Sequence, residues 1–564
     1  MLFQRRDERE TQLRLARLQT QVRYTLLQKD TMARQRRSLL ALSFIVLSCS
    51  LLGGFYGPYA RVSAASAEQA GLPKDLGRFT KALVAVEQNY ADKVDMDKAI
   101  YQGALPGMMR TLDPHSNFFD PKEYALLRED QEGHYFGVGM EVTQRTGKTV
   151  VTAPFSGSPA WKAGLRPGDI IVSVNDKPTD GLNTTEVADL LKGPRGTKVK
   201  IVVSREGAPD YLSFAVVRDE ISRKSVQDAF WLHPGIAYVR VLSFGETTGQ
   251  ELIQTLKRLG ESNITGLVLD LRGNPGGLLN TGVEVADHFL PKGSVIVSHH
   301  GRSSPEKVYT AYNGNQGRDY SMVVLVDRMS ASAAEIVSGA LQDHDRALVL
   351  GEVTFGKGLV QTVFPLPERT ALALTTAHFY TPSGRLIQRD YSQQTYFDYY
   401  NVRNENLRNP QDVKMTDSGR TVYGGGGITP DEVFKVQPMN KLQSQLYRNG
   451  LFAFTRSYFA THSTKVAEGW MPDEQTLNAL HEFLLKNSYT FTEVEWAMNQ
   501  DWIKRYLTKE MYVWAFNKDE SDRVFAQMDP EVEQAVEALP KAATLAENAR
   551  KVIGQRRAPR PPGR

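Results

Sequence analysis

Between residues 235 and 380 short runs of consecutive apolar residues alternate with amphipathic stretches, and this pattern restricts the fold more than any other feature of the chain. IAYVRVLSF reads as a strand and GQELIQTLKRLG as a helix. GLVLDLRG follows as a buried strand, then a Gly/Pro loop and the helix LNTGVEVADHFL. SMVVLVD, SAAEIVSGALQDH and RALVLGE repeat the strand, helix, strand order. Strands without an apolar/polar alternation are buried on both faces, and strands separated by helices pair in parallel, so an α/β core is expected here.

That core cannot account for all 564 residues, because single cores stop growing at roughly 250–300 residues. Residues 75–133 show helix-like spacing and close on Asp113-Pro114-His115-Ser116-Asn117-Phe118-Phe119. Residues 134–220 give short strands (KTVVTAP, DIIVSVND, TKVKIVVSR) and one helix, TTEVADLLKG. Residues 439–545 contain no strand runs and read as helices rich in Trp, Tyr and Phe. The final stretch, 546–564, is basic and Pro-rich and reads as a disordered tail. The segment Asp390 to Arg420, rich in Tyr, Asn and Gln, reads as a surface excursion, with a cover over the active site as the alternative.

Ser38 to Ala60 contains no charged residue and is long enough for a membrane-crossing helix. Arg34, Arg36 and Arg37 precede it and Arg61 alone follows closely, which places the N-terminus in the cytoplasm and the rest outside. A single-pass anchor in a bacterial inner membrane, with the folded part in the periplasm or another extracytoplasmic space, is the expectation. Ala65-Ser66-Ala67 offers the alternative of a signal segment cleaved near Ala67 and a secreted product.

The net charge of +4 resides in the tail: residues 1–37 hold ten Lys or Arg against four Asp or Glu. The folded body is therefore not basic, and no nucleic-acid partner is expected. A single cysteine, Cys49, excludes an intrachain disulfide. The histidines show no zinc-ligand spacing, so neither a metal nor another cofactor is expected.

Three stretches can carry chemistry. Leu269-Asp270-Leu271-Arg272-Gly273-Asn274-Pro275-Gly276-Gly277 runs from a buried strand into a loop that can expose backbone N–H groups, although alone it is equally a tight turn. Ser330-Ala331-Ser332-Ala333-Ala334-Glu335 puts the Ser332 hydroxyl at a helix N-terminus, where developing negative charge is favoured and the Ala333 N–H could serve an oxyanion. Ser332-x-x-Glu335 is also a capping box, and spacing alone favours the cap. In Thr354-Phe355-Gly356-Lys357-Gly358, Lys357 lies among glycines and apolar residues, where lost solvation would lower its pKa and free its amine to act as a base; the plain alternative is a surface lysine.

Tyr135-Phe136-Gly137-Val138-Gly139, followed by Gly157-Ser158-Pro159-Ala160, Ala163-Gly164-Leu165 and Gly168-Asp169-Ile170-Ile171, resembles a PDZ domain over residues 134–220. The resemblance implies that the Tyr135–Gly139 loop receives a peptide carboxylate and the adjoining strand edge receives an extended chain. DPHSNFF, these PDZ signatures, LDLRGNPGG, SASAAEIVSGALQDH, GEVTFGKGLVQ, LTTAHFYTPSGRLIQ and GGGGITPD occur in this order. The series resembles the C-terminal processing (tail-specific) peptidases across about residues 80–435.

That resemblance implies a multidomain α+β protein: an α/β crotonase/ClpP-like catalytic core over 221–438 with an inserted PDZ domain, plus helical N-terminal and C-terminal regions. It further implies a serine endopeptidase cleaving exported proteins near their C-termini through a Ser–Lys dyad. Ser332 falls on the family's nucleophile, Lys357 on its base and Gln361 on the residue that supports the lysine. Ala333 and Gly276 fall on the oxyanion hole, with Gly277 as the alternative to Gly276. The partners implied are protein or peptide substrates with free C-termini, the membrane through residues 38–60, and an adaptor lipoprotein or a homo-oligomer. Two competing readings are a membrane-tethered PDZ scaffold without catalysis and a crotonase-like enzyme acting on acyl-CoA, the latter opposed by the export signal.

Overall fold

A computed structural model describes residues 72–392, 394–401, 411–462 and 466–557. The basic leader 1–37, the uncharged stretch 38–60, the small-residue motif at 65–67 and residues 558–564 lie outside them. No helix among the described residues is long and apolar enough to cross a membrane. The chain divides into two compact units, 1–96 and 97–564. In the first, Leu72–Asn89 forms a helix; everything below concerns the second.

Its centre is a six-stranded sheet in the order Val226–His233, Ile236–Val241, Gly266–Asp270, Ser321–Val326, Leu348–Gly351, Glu432–Val433. The first pair is an antiparallel hairpin and the remaining neighbours are parallel. Alternate residues of each strand enter different layers. Ala237, Val239, Leu267, Leu269, Met322 and Val324 pack under the helices Thr248–Leu259, Leu279–Phe289 and Ala333–Asp343. Tyr238, Val268, Val323, Leu325 and Leu350 pack on the other side against Val532, Ala535, Ala538, Leu539 and Ala542. The consecutive apolar runs of these strands follow from this two-sided burial.

The second cover is the helix Pro530–Arg557, which corrects two expectations. Residues 530–545 belong to the core's outer layer rather than to a separate helical domain. The basic segment from 546 is helical through Arg557 rather than a disordered tail, with Ala549 buried in the same helix. A sheet buried on both faces needs a helix on each, and the small residues of this segment supply the second.

A second, antiparallel sheet joins Asn117–Phe119, Ala371–Tyr380, Val295–Gly301 and Ser304–Thr310, with Leu359–Pro365 also paired to Ala371–Tyr380. Asn117–Phe119 is thus a strand within a region expected to be helical. Residues 134–222 form a module with its own core: a six-stranded sheet in the order Met140–Arg145, Lys148–Pro154, Ile170–Val174, Lys198–Ser204, Leu212–Val217, with Lys177–Pro178 also paired to Ile170–Val174, and the helices Pro159–Ala163 and Thr184–Leu191. His134–Gly137 pairs with Asp219–Ser222, bringing the two ends of the module together. Helices between Lys441 and Gln527 enclose a further core that includes Phe454, Leu480, Trp496 and Leu507.

Candidate active site

Three loops meet at the ends of the parallel strands. The first leaves strand Ser321–Val326, and its turn is pinned by Ser330, whose hydroxyl lies 2.8 Å from the Leu271 carbonyl. Ser332 follows with φ 54° and ψ −115°, a region that a side-chain-bearing residue enters only at a cost of about 1–3 kcal/mol. Such strain persists where the surroundings fix it, and here they do. The helix that begins at Ala333 is buried along its whole length, and a Cβ on Gly282 would stand only 3.1 Å from the Ala333 side chain.

The second loop is Leu271–Gly277. Asn274, fully buried, braces it: its Nδ2 donates to the Val241 carbonyl at 2.8 Å, its carbonyl accepts from Ala331 N–H at 2.9 Å, and its Oδ1 accepts from Gly276 N–H at 2.8 Å. Gly276 has φ +95°, and a Cβ there would stand 2.6 Å from the Ala331 carbonyl oxygen and 2.7 Å from Ser332 Cβ. The absence of a side chain lets this backbone lie directly on the serine. The Gly276 N–H expected from the sequence to serve an oxyanion is, in this arrangement, held by Asn274.

The third loop is Thr354–Gly358, and Glu335 ties it to the first. This fully buried carboxylate accepts from Ser332 N–H at 2.8 Å and Lys357 N–H at 2.9 Å on one oxygen. Its other oxygen accepts from the Thr354 hydroxyl at 2.6 Å and Gly356 N–H at 2.7 Å. Burial raises its pKa above the ordinary glutamate value, against the pull of these hydrogen bonds. The capping box read from the sequence is therefore present, but its glutamate also holds the lysine loop.

Lys357 Nζ donates to Gln361 Oε1 at 2.8 Å. Burial lowers the lysine pKa below its usual value, although Glu335 and Asp113 pull it upward. Gln361 Nε2 in turn donates to the His115 carbonyl. His115 is fixed by the turn that Asp113 makes: the Asp113 carboxylate accepts from the N–H groups of His115 and Ser116, both at 2.7 Å, and from the Ser116 hydroxyl at 2.6 Å. Ser332, Lys357, Gln361, His115, Gly276 and Gly277 all line one cleft of about 540 Å³. A larger cavity of about 960 Å³, between Arg346 and Arg550, contains none of them.

The five residues expected to receive a peptide carboxylate do not share one environment. Val138 is buried in the module's core, while Phe136 is exposed. The Tyr135 ring lies 5.0 Å from the Arg223 guanidinium and 5.3 Å from the Lys192 amine. Gly137 would place a Cβ 3.0 Å from the Tyr135 ring. Gly139, at φ +75°, has its carbonyl held by the Ser158 hydroxyl at 2.7 Å. Strand Met140–Arg145, which follows, is terminal in its sheet order. Arg223, at the module's exit, and Asp130 and Gln131, just before its entry, line the cleft that holds Ser332.

The sequence marks the three loops, but no motif in it marks the roles of Asn274, of His115 or of the second reach of Glu335. Asp113-Pro114-His115-Ser116 was visible as a motif; nothing local to it names Gln361 as the partner of its carbonyl.

Residues 235–399 match the model of peptidase family S41, and residues 150–205 match a PDZ domain. The chain is 38% identical over 319 residues to the carboxy-terminal-processing protease of Bartonella bacilliformis, a match spanning 56% of this chain and 73% of that protein. It is 30% identical over 398 residues to the carboxy-terminal processing protease CtpB of Bacillus subtilis, spanning 66% of this chain and 82% of that one. Among solved structures, the photosystem II D1 C-terminal processing protease is 31% identical, covering 55% of this chain and 89% of its own, at a TM-score of 0.31. The chain therefore belongs to the carboxy-terminal processing proteases of peptidase family S41, serine peptidases that here carry a PDZ domain.

Proposed function

We propose that this peptidase cleaves exported proteins near their C-termini with Ser332 as nucleophile and Lys357 as general base. The observation that carries the reading is the Lys357 amine, held on Gln361 and lowered in pKa by burial, in the cleft that Ser332 also lines. Only a neutral amine can take the serine proton, and burial favours that form. The strained φ of Ser332 and the absence of a Cβ at Gly276 support the nucleophile assignment. Ala333 N–H supplies one oxyanion donor, and the Gly276–Gly277 segment supplies the other once substrate displaces the Asn274 contact or engages the Gly277 N–H.

The PDZ module, 134–220 by its sequence signatures, takes the substrate's terminal carboxylate on the Tyr135–Gly139 loop and its extended chain on the edge of Met140–Arg145. Its entry and exit residues border the cleft, so a bound chain is presented at the serine. The catalytic body spans 221–438 together with the covering helix. Residues 38–60 anchor the enzyme in the membrane with the catalytic part outside the cytoplasm.

The test is cleavage of an unfolded protein ending in an apolar residue with a free carboxylate, using the chain and its Ser332→Ala and Lys357→Ala variants. Turnover by the first and none by either variant supports the dyad. Turnover by Lys357→Ala removes the base assignment, and peptide binding without cleavage by any form leaves a PDZ scaffold.

A further inference from the structure

The segment after Asp390, expected from the sequence to be a surface excursion, begins by entering the catalytic region. Its short helix Tyr396–Asn401 carries Tyr399, only 1% exposed, and Tyr400 against the His115 ring. The Tyr399 hydroxyl lies 2.9 Å from His115 Nε2, and the Tyr400 hydroxyl lies 3.2 Å from His115 Nδ1 and 3.0 Å from the Pro114 carbonyl. Phe355, two residues before Lys357, packs edge-on to Tyr399 and against Tyr400, and the Arg389 guanidinium sits 4.3 Å over the Tyr399 ring.

The proton order in this group is determined by its donors. Gln388 Nε2 donates to the Tyr399 hydroxyl at 3.3 Å, so that hydroxyl spends its own proton on His115 Nε2. His115 then carries its hydrogen on Nδ1 and donates to the Tyr400 hydroxyl, which donates to Pro114. This requires a neutral imidazole. Burial, with Lys357 nearby, lowers the His115 pKa to about 4, so the ring is neutral wherever the lysine can act. From the same residue the main-chain carbonyl accepts Gln361 Nε2, and Gln361 Oε1 accepts Lys357 Nζ.

We propose that Tyr399 and Tyr400 are positioning residues for the peptidase reaction, fixing the Lys357 amine through His115 and Gln361. The inference rests on Lys357 being the base. The two phenols hold the His115 ring from both nitrogens, the ring fixes the main chain that carries its carbonyl, and that carbonyl selects which end of the Gln361 amide faces the lysine. A rotated Gln361 would turn its NH₂ toward the amine, and the lysine would lose both its acceptor and its aim. Misplacement of a base by about 1 Å is enough to cost on the order of a hundredfold in rate.

The test compares the full-chain enzyme with Tyr399→Phe, Tyr400→Phe and the double variant, which keep the rings and remove only the hydroxyls. Rates on an unfolded protein with a free C-terminus are followed from about pH 6 to about pH 10, and thermal unfolding is measured in parallel. The double variant is expected to lose roughly tenfold or more in kcat, with KM unchanged and the enzyme still folded at the assay temperature, its unfolding midpoint lowered by at most a few degrees for the buried hydroxyl removed. Its activity limb should move to lower pH, because a lost carbonyl acceptor disfavours the ammonium form. Glu335 and Asp113 keep their charges and partners in these variants, while Arg389 and Tyr391, both packed on the Tyr399 ring, keep their ring contacts and Arg389 its charge. Wild-type kcat overturns the proposal, as does a kcat loss with an unmoved limb or one explained by unfolding at the assay temperature. Should the double variant not fold, Tyr400→Phe, at the exposed ring, carries the same two readouts. Ser332→Ala and Lys357→Ala are run alongside. If either turns over substrate, the dyad and this proposal fail together; if both are dead while the phenylalanine variants match wild type, the positioning role alone fails.

Discussion

Replacing Glu335 by Gln tests whether one buried carboxylate joins the serine loop to the lysine loop. The carboxylate accepts four hydrogen bonds, two on each oxygen. An amide has one accepting end. If its NH₂ faces Ser332 and Lys357, two buried N–H groups meet a donor. If it faces Thr354 and Gly356, the Thr354 hydroxyl can turn to accept, but the Gly356 N–H cannot. The better orientation still strands one buried donor, at about 1–3 kcal/mol, and the remaining bonds lose their charge assistance. Relief from burying a charge offsets part of that loss, so a net destabilisation of about 1–3 kcal/mol is expected in equilibrium denaturation. Catalysis should suffer more than stability, because the stranded loop is the one that carries Lys357. The pH profile supplies an independent sign. Glu335 holds the lysine pKa up, so its neutralisation lowers that pKa further and moves the activity limb to lower pH. A Glu335→Gln enzyme of wild-type stability and wild-type kcat would refute the joint, whatever its pH limb did.

The wild-type activity limb itself should lie below the lysine's ordinary 10.5, rising with pH as burial-lowered Lys357 deprotonates, and a kcat/KM profile flat through that range would contradict the base. Gly276→Ala puts a methyl 2.6 Å from the Ala331 carbonyl at φ +95°, and a loss of roughly a hundredfold or more in kcat is expected by steady-state assay. Glu531 has its pKa raised to about 7, by burial first, while unfolded it titrates near 4.5. Its contribution is therefore fully present below pH 4.5 and lost as pH rises through 7, a change of about 3 kcal/mol that should vanish from the wild-type minus Glu531→Gln difference in denaturation free energy if the pKa is not raised.

How much could be read in the sequence depended on how local the cause was. The parallel strands were legible because two-sided burial writes itself as consecutive apolar residues, as in Leu267 to Leu269 and Met322 to Val326. Ala371–Tyr380 was not, because its burial alternates without an apolar/polar alternation in its residues (Ala371 and Ala373 buried, Leu372 and Leu374 partly exposed), and its partners come from 117, 295 and 359. The helix Pro530–Arg557 was legible as a helix, but nothing within it states that it roofs a sheet begun at residue 226. Ser332 and Lys357 came with their motifs. The Asn274 contact that holds Gly276 N–H spans two residues in a loop whose conformation no pattern records. The tyrosines at 399 and 400 lie 284 and 285 residues from the histidine they grip.

The C-terminal third of the chain touches both the strand that feeds the Gly276 loop and the PDZ module. Asp529 and Glu531, where the covering helix begins, bind Arg272 at 2.9 and 2.7 Å, and Arg272 also pairs with Asp270 at the end of the strand that feeds the Gly276 loop. The preceding helices reach the PDZ module. Trp514 fills the space over Gly168 so closely that a Cβ there would stand 2.2 Å from the ring, Arg145 lies 4.1 Å over Phe452, and Glu206 pairs with Arg456. The module is thus held twice: by its own joined ends at Gly133 and Arg223, and by a bundle whose last helix is part of the catalytic sheet's packing. A module held at its joined ends alone could rotate about them and carry the Tyr135–Gly139 loop with it. With the bundle seated, rotation must first lift Gly168 off Trp514 and break the contacts of Arg145 and Glu206, and interiors packed this closely shift between discrete arrangements rather than deform continuously. The distance from the Tyr135–Gly139 loop to the cleft is therefore set by the C-terminal helices as much as by the joined ends at Gly133 and Arg223.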